Sequence, residues 1–241
     1  MLKFFLLMMV TVGAVQAEEC TQSPEHLAAT YQFEKLTSGN SDKHILTLWR
    51  NGKRLAHENP EKRMTAIWEQ GVDGRLRLVR SFDADNRGIE YQPSEVKVDD
   101  TEAYWAQLNH LIAPAHFQSW PVIKSSGKGC DLVQTYQLKS EHETTQITWQ
   151  PAVKLVISLS QKTDNHNIEW TLRKVIHDKK LIKRAFENWD GYFMTDYADI
   201  GDNESDPFLL KMMNLGHIEH GAAGFYDSKG NSIDGGHGHQ H

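Results

Sequence analysis

Two stretches in which apolar and polar residues alternate constrain the fold of this chain more than any other feature. The alternation predicts strands over residues 44–50, 53–57, 64–70, 75–82, 87–92, 132–138, 145–149, 153–160 and 168–172. A period of two sends successive side chains to opposite faces of a sheet. One face is then apolar and the other polar, which is typical of an antiparallel sheet covered on one side.

Turn residues between these segments indicate hairpins. Asn51-Gly52 follows the first segment at once, and this dipeptide is among the strongest hairpin signals in a sequence. Gly71-Val72-Asp73-Gly74 separates the third segment from the fourth. The sequence therefore predicts two antiparallel pairs in the first half of the chain.

A helical period interrupts the strands in the middle of the chain. The apolar stripe over residues 101–112 consists of Tyr104, Trp105, Leu108, Leu111 and Ile112. Their spacing of i, i+1, i+4, i+7 and i+8 is that of one face of an amphipathic helix. Thr101 is expected to cap this helix, and Pro114 follows its end.

Further helices are predicted at both ends of the chain. Residues 181–189 form a second amphipathic pattern. The last helix is expected to have Asp206 as its N-cap, Pro207 as its first residue and Gly216 as its left-handed stop. A Ser-Pro pair near the N-terminus favours a short helix over residues 23–31.

The order of these elements predicts an α+β fold. We expect a strongly curved antiparallel sheet, a half-barrel, with a central helix and C-terminal helices over its concave face. Residues 18–216 would form this single domain, and residues 217–241 a flexible C-terminal tail rich in histidine and glycine.

The first seventeen residues predict export. Residues 1–17 contain one lysine, an apolar run and a small residue at each end of Val15-Gln16-Ala17. This is the pattern of a cleaved signal peptide, and its apolar run is shorter than the roughly 20 residues that cross a bilayer. We therefore expect the mature protein in the periplasm, where cysteines are oxidised.

Charge and cysteine content narrow the function further. The formal net charge of −6 does not attract nucleic acid through bulk charge, so no nucleic-acid partner is expected. The two cysteines, Cys20 and Cys130, are predicted to form a disulfide. Lipid attachment at Cys20 is the alternative, although the preceding residues lack the small, uncharged pattern that lipoprotein processing requires.

The order of elements resembles the half-barrel of outer-membrane lipoprotein carriers, the LolA/LolB-like class. Export, an aromatic-rich apolar lining and hairpins such as Leu48-Trp49-Arg50-Asn51-Gly52-Lys53-Arg54 carry this resemblance, over roughly residues 31–189. The resemblance implies a cavity for an acyl chain or another apolar ligand. It implies no functional residue, because no specific motif of the class is present. The residues after 189 depart from its pattern.

The sequence therefore predicts a non-enzymatic binding or carrier protein. Its partners would be an apolar small molecule or lipid and a peripheral protein of the envelope. Trp105, Leu108, Leu111 and Trp149 are the residues expected to line the cavity. Packing in an ordinary core is the alternative interpretation of the tryptophans.

Thirteen histidines suggest a second function, the handling of copper or zinc. The candidate ligands lie at the C-terminus: His217, His220, His237, His239 and His241. Neutral imidazole binds both metals well, and histidines spaced along a flexible chain impose no fixed geometry. Adventitious binding is the alternative, and no cofactor is required for the first function.

Other chemistry has weaker support in the sequence. Acidic residues within 196–206 and 83–88 suggest calcium, but their spacing does not match an EF-hand loop and suits turns equally well. The chain has neither a G-x-S-x-G elbow nor an H-E-x-x-H pair. A hydrolase of an unrecognised type remains the third alternative.

Overall fold

A computed structural model describes residue 20, residues 22–203 and residues 205–217. The predicted signal peptide, residues 1–17, lies outside the described residues. Four of the five candidate metal ligands also lie outside them: His220, His237, His239 and His241.

Within the described residues, twelve strands form one large, curved and unclosed sheet. The strands are β1 (His26–Thr37), β2 (Asn40–Asn51), β3 (Arg54–Asn59), β4 (Met64–Gln70), β5 (Leu76–Phe82), β6 (Arg87–Tyr91), β7 (Val122–Ser126), β8 (Val133–Lys139), β9 (Glu143–Gln150), β10 (Leu155–Thr163), β11 (His166–Ile176) and β12 (Phe193–Asp196). Their spatial order is β12-β6-β5-β4-β3-β2-β1-β11-β10-β9-β8-β7. Neighbouring strands are antiparallel except β12 and β6, which are parallel.

Three α-helices accompany the sheet in the described part of the chain: α1 (Thr101–His110), α2 (Lys179–Asp190) and α3 (Pro207–Asn214). Asp100, and not Thr101, caps α1, since its side chain accepts a hydrogen bond from the backbone N–H of Ala103. The capping of α3 by Asp206 follows the sequence prediction. Gly216 has a φ of +70° at the end of this helix, the left-handed conformation that glycine adopts readily.

The first strand corrects the sequence-based expectation of a helix over residues 23–31. β1 lies between β2 and β11 and pairs with both along its length. Leu27, Ala29 and Tyr31 alternate into the core. Long-range pairing on two sides therefore overrides the local helix signal of the Ser-Pro pair. The edge strands β7 and β12 were also not predicted.

Adjacent residues of the central strands lie on opposite faces of the sheet. In β5, Leu78 joins the apolar cluster that includes α1 and α3, whereas Val79 joins the cluster that includes α2. We name these two sides the α1 face and the α2 face. The arrangement corrects the prediction that all helices cover one face, because α2 lies on the opposite side from α1 and α3.

The predicted disulfide between Cys20 and Cys130 is confirmed. It joins the residues before β1 to the segment between β7 and β8, across 110 positions of sequence. Closing a loop of this length contributes on the order of 4–5 kcal/mol in the chain-entropy model. Lipid attachment at Cys20 is thereby contradicted, since its sulfur is already bonded.

The described helices are all too short or too polar to cross a membrane.

Candidate functional site

Three apolar clusters lie on the α1 face. One of them surrounds the central strands β1, β2 and β10 and consists of Leu27, Ala29, Tyr31, Leu48, Val153 and Leu155. The other two, which we name the first and the second cluster, lie on either side of it. The first cluster lies over β3 to β6, beneath α1 and α3, and contains Trp68, Leu78, Tyr91, Leu108 and Phe208. The second cluster lies mainly over β8 to β11 and contains Tyr136, Ile147, Trp149, Leu159 and Trp170. Helices α1 and α3 cover the first cluster, whereas a different segment of the chain covers the second.

An irregular segment, residues 111–120, covers the second cluster. It begins at Leu111, directly after α1, and includes one short 3-10 turn, Pro114–His116. The backbone hydrogen bonds of the segment are local. The N–H of His116 donates to the carbonyl of Ala113, those of Phe117 and Gln118 donate to that of Pro114, and that of Trp120 donates to that of Phe117. Side chains, rather than a backbone ladder, therefore hold this cover to the sheet.

Phe117 is the deepest contact of the covering segment. Its side chain is fully buried, with ring centroids 5.2 Å from Tyr136 and 5.6 Å from Trp149. Both ring pairs have the edge-to-face arrangement that aromatic side chains favour. Phe117 thus fills an aromatic site in the sheet from the side of an irregular loop.

The four residues predicted to line a cavity lie on this face but in separate places. Trp105 and Leu108 belong to the first cluster, and Leu111 and Trp149 to the second. Leu108 and Trp149 are each 3% exposed, so other side chains surround them. The structure does not bring the four together; α1 and the residue after it connect the two pairs.

A buried arginine lies beneath the C-terminal end of α1. The Arg50 guanidinium donates hydrogen bonds to the backbone carbonyl groups of Asn109, Pro24, Val153 and Lys154. Burial lowers the pKa of Arg50 to about 10. Arg50, in β2, thus joins α1 to Pro24 and to residues 153–154, and these acceptors in the described part of the chain include no carboxylate.

Two histidines also contact α1. Nε2 of His57 donates to the carbonyl oxygen of Leu108 at 2.7 Å, and Nδ1 of His110 donates to that of Ala106 at 2.6 Å. Burial lowers the pKa of both imidazoles to about 4, and the nearby Arg50 charge adds to the effect. Both side chains are therefore neutral near pH 7.

Arg80 is a second buried arginine, in the first cluster. Its Nη1 donates to the carbonyl oxygen of His217 at 3.0 Å, and its guanidinium lies 5.5 Å from the ring centroid of Tyr91. Arg80 Nε and the Tyr91 hydroxyl are both buried without a hydrogen-bond partner among the described residues. Polar groups in this state are costly and deserve a functional explanation.

Sequence reasoning missed Arg50, His57, Arg80 and Phe117. For the first three, a signal was present: each lies two positions after an apolar strand residue that faces the core. Leu48 precedes Arg50 in this way, and Leu78 precedes Arg80. A charged residue at a core-facing strand position is informative because burying it is costly.

In the described part of the chain, no group of three or more His, Cys, Asp or Glu side chains is placed so that it could hold a metal ion. The His217 ring lies 6.1 Å from that of Phe82. Burial lowers its pKa, and Lys62 and Arg80 lower it further.

The two acidic segments considered for calcium contain residues that form ion pairs. Asp206 pairs with Arg87 at 2.8 Å, and Asp85 pairs with Lys211 at 2.9 Å.

Solved structures resemble this chain distantly. PNGF-II has a TM-score of 0.40 and 10% identity, covering 70% of this chain and 31% of its own. An outer membrane lipoprotein-sorting protein domain from Vibrio parahaemolyticus has a TM-score of 0.30 and 6% identity, covering 67% and 91%. A DUF1329 family protein from Desulfovibrio piger has a TM-score of 0.29 and 7% identity, covering 66% and 87%.

No protein family matches the sequence, and no curated protein does. The chain spans less than a third of the length of PNGF-II. TM-scores below 0.5 at 10% identity or less carry no argument about activity. The half-barrel that the sequence predicts agrees instead with the curved, unclosed sheet of the chain itself.

Proposed function

We propose that this chain is an exported, non-enzymatic binding or carrier protein that holds an apolar ligand or a lipid-modified partner against its α1 face. The observation that carries the proposal is the cover of the second cluster. An apolar, aromatic sheet surface is closed there by residues 111–120, whose backbone hydrogen bonds are local. Binding residues are commonly found on loops that a rigid scaffold positions.

In this proposal the ligand takes the place of Phe117. Moving the segment breaks apolar contacts rather than a backbone ladder, and an acyl chain lying against Trp149 and Leu111 would restore the apolar burial. The exchange therefore costs little free energy, since burial of apolar area is roughly interchangeable between side chain and ligand. The disulfide supports export, because such bonds persist in oxidising compartments.

A neutral fluorescent probe, N-phenyl-1-naphthylamine, tests the proposal on the mature protein after solvent extraction. We expect saturable binding, and we expect hexadecanol to displace the probe and to raise the melting temperature. Native mass spectrometry of the protein before extraction should show a bound lipid. A protein that neither binds the probe nor gains stability from hexadecanol would contradict the carrier function.

Two matched variants locate the site. Phe117→Ala and Phe186→Ala each remove a buried phenyl ring, the first from the α1 face and the second from the α2 face. Each should lower the free energy of unfolding by about 3–5 kcal/mol. Probe affinity should change in the Phe117 variant alone. An equal change in both variants would place the site elsewhere.

We also propose a second candidate, an envelope protein that handles copper or zinc through its C-terminal histidines. The feature that supports it is the number of histidines among the C-terminal residues, His217, His220, His237, His239 and His241, since neutral imidazole binds both metals well. Isothermal titration with Cu²⁺ and Zn²⁺ should show binding that is lost when residues 235–241 are removed. Unchanged tight binding in the truncated chain would exclude the tail, and affinity no greater than that of a His-x-His peptide would exclude the function.

A further inference from the structure

The charge of Arg80 has no counter-charge in the described part of the chain. The side chain is 7% exposed, and no carboxylate of the residues that the structure describes lies within 4.0 Å of its guanidinium. Its direct neighbours on the adjacent strands, Ala66 and Ile89, are apolar. A buried cation without a partner costs several kcal/mol, so a fold that retains one gains from an anion supplied by a ligand.

The groups around Arg80 offer further hydrogen-bond donors. Among the described residues, Nε of Arg80 is buried and unpartnered, and so is the hydroxyl of Tyr91, whose ring centroid lies 5.5 Å from the Arg80 guanidinium. Nη1 of Arg80 donates to the carbonyl oxygen of His217. The other edge of the guanidinium, formed by Nε and Nη2, can donate to another acceptor. Two parallel N–H groups on one edge of a guanidinium match the two oxygens of a carboxylate.

We propose that Arg80 and Tyr91 bind the head group of a long-chain carboxylate, so that the ligand of the proposed carrier site is a fatty acid or a related amphiphile. The inference rests on the proposed function and names its ligand class. One guanidinium balances the single charge of a carboxylate, whereas a phosphate dianion would remain half compensated in this apolar surrounding.

Helix α1 connects this head-group site to the rest of the α1 face. Tyr104 packs in the first cluster near Arg80, and Leu111 packs at the start of the covering segment. Leu111 comes seven positions after Tyr104, which corresponds to about 10 Å along the helix axis. An acyl chain anchored at Arg80 and running along α1 therefore reaches the second cluster, where Phe117 would give way.

The test compares two ligands with the same chain and different head groups. Solvent-extracted protein is titrated with palmitate and with hexadecanol below their aggregation concentrations, by displacement of N-phenyl-1-naphthylamine. We expect palmitate to bind about tenfold more tightly or better, the usual gain from hydrogen bonds to a charged group. Equal affinity for both ligands would overturn the inference and leave the carrier function intact; binding of neither would overturn both.

Three variants assign the head-group site. Arg80→Met should remove the preference for palmitate over hexadecanol. Tyr91→Phe removes the hydroxyl alone and should reduce palmitate affinity several-fold, which keeps the test valid if Arg80→Met does not fold. Arg77→Met, in the same strand but on the α2 face, is the control and should bind both ligands like the wild type. A palmitate preference that persists in both Arg80→Met and Tyr91→Phe would overturn the assignment.

Discussion

Arginines on the two faces of the same strands have different partners. On the α2 face, Arg77 donates to Glu90 at 2.6 Å and lies 3.3 Å from Glu69. Three residues along β5, on the α1 face, the Arg80 guanidinium has one backbone carbonyl as its acceptor. Because a buried charge without a counter-charge is costly, the difference indicates that the charge of Arg77 is balanced by its neighbours, whereas no described carboxylate balances the charge of Arg80.

The same contrast separates Arg54 from Arg50. Arg54 makes a two-bond ion pair with Asp190 at the end of α2, whereas Arg50 binds backbone carbonyl groups alone. The acidic groups show the complementary pattern. On the α2 face, burial raises the pKa of Glu58, which accepts from Trp49, and of Asp83, which accepts from Tyr192. The two faces should therefore respond differently to mutation and to pH.

The largest expected effect comes from the arginines themselves. Arg50→Met removes the donor shared by four backbone carbonyl groups and should lower the free energy of unfolding by about 3–5 kcal/mol, as when one partner of a buried charged network is removed. Arg54→Met removes a partly exposed ion pair and should cost about 1 kcal/mol or less. Urea denaturation measures both. Equal losses would show that the two faces do not differ in this respect.

The pH dependence of stability sharpens the comparison on the α1 face. The pKa of His57 is about 4 in the folded protein and 6.5 ordinarily, so the unfolded chain binds a proton between these values that the folded chain does not. Unfolding free energy should fall as the pH decreases from 6.5 to 4, by about 3 kcal/mol from this group. His57→Gln should flatten the slope in this window. A slope unchanged by the substitution would refute the assignment.

Glu58 should titrate in the opposite sense on the α2 face. Its pKa is raised by burial above the ordinary 4.5, so the folded state holds its proton more tightly than the unfolded chain. Stability from this group is present at low pH and is lost as the pH rises through the raised pKa. Glu58→Gln should therefore be more stable relative to the wild type at pH 8 than at pH 4. Equal differences from the wild type at both pH values would contradict this.

The smallest effect is expected for the balanced arginine of β5. Arg77→Met should cost about 1 kcal/mol or less, because its ion pairs with Glu69 and Glu90 are partly exposed. The difference from the wild type should shrink further at 1 M salt, where the Debye length is about 3 Å. A loss above that of Arg50→Met would reverse the comparison of the two faces.

Much of the secondary structure could be predicted because its causes are local. Alternation predicted β2 to β6 and β8 to β11, and the Gly52 turn has the positive φ that the hairpin requires. Asp206, Pro207 and Gly216 marked the ends of α3 because caps act within one helical turn. The prediction failed where a strand pairs with residues far away in sequence. The N-terminal part of β1 was predicted to be helical, and the edge strands β7 and β12 have too few residues to show a clear alternation.

The candidate site could be predicted in part. The sequence placed Trp105, Leu108, Leu111 and Trp149 on core-facing stripes, but it could not show that they divide between two clusters. Their separation depends on where α1 crosses the curved sheet, which no local pattern records.

The sequence by itself determined where this chain alternates, turns and caps, and it determined the cysteine pair, since these follow from the chemistry of neighbouring residues or from having two cysteines. The tertiary structure alone decided that α2 covers the face opposite α1 and α3, that residues 111–120 close the second cluster, and that Arg50 meets four carbonyl groups while Arg80 meets one. These outcomes depend on contacts between residues far apart in sequence. Burial and hydrogen-bond satisfaction arise only when such contacts form.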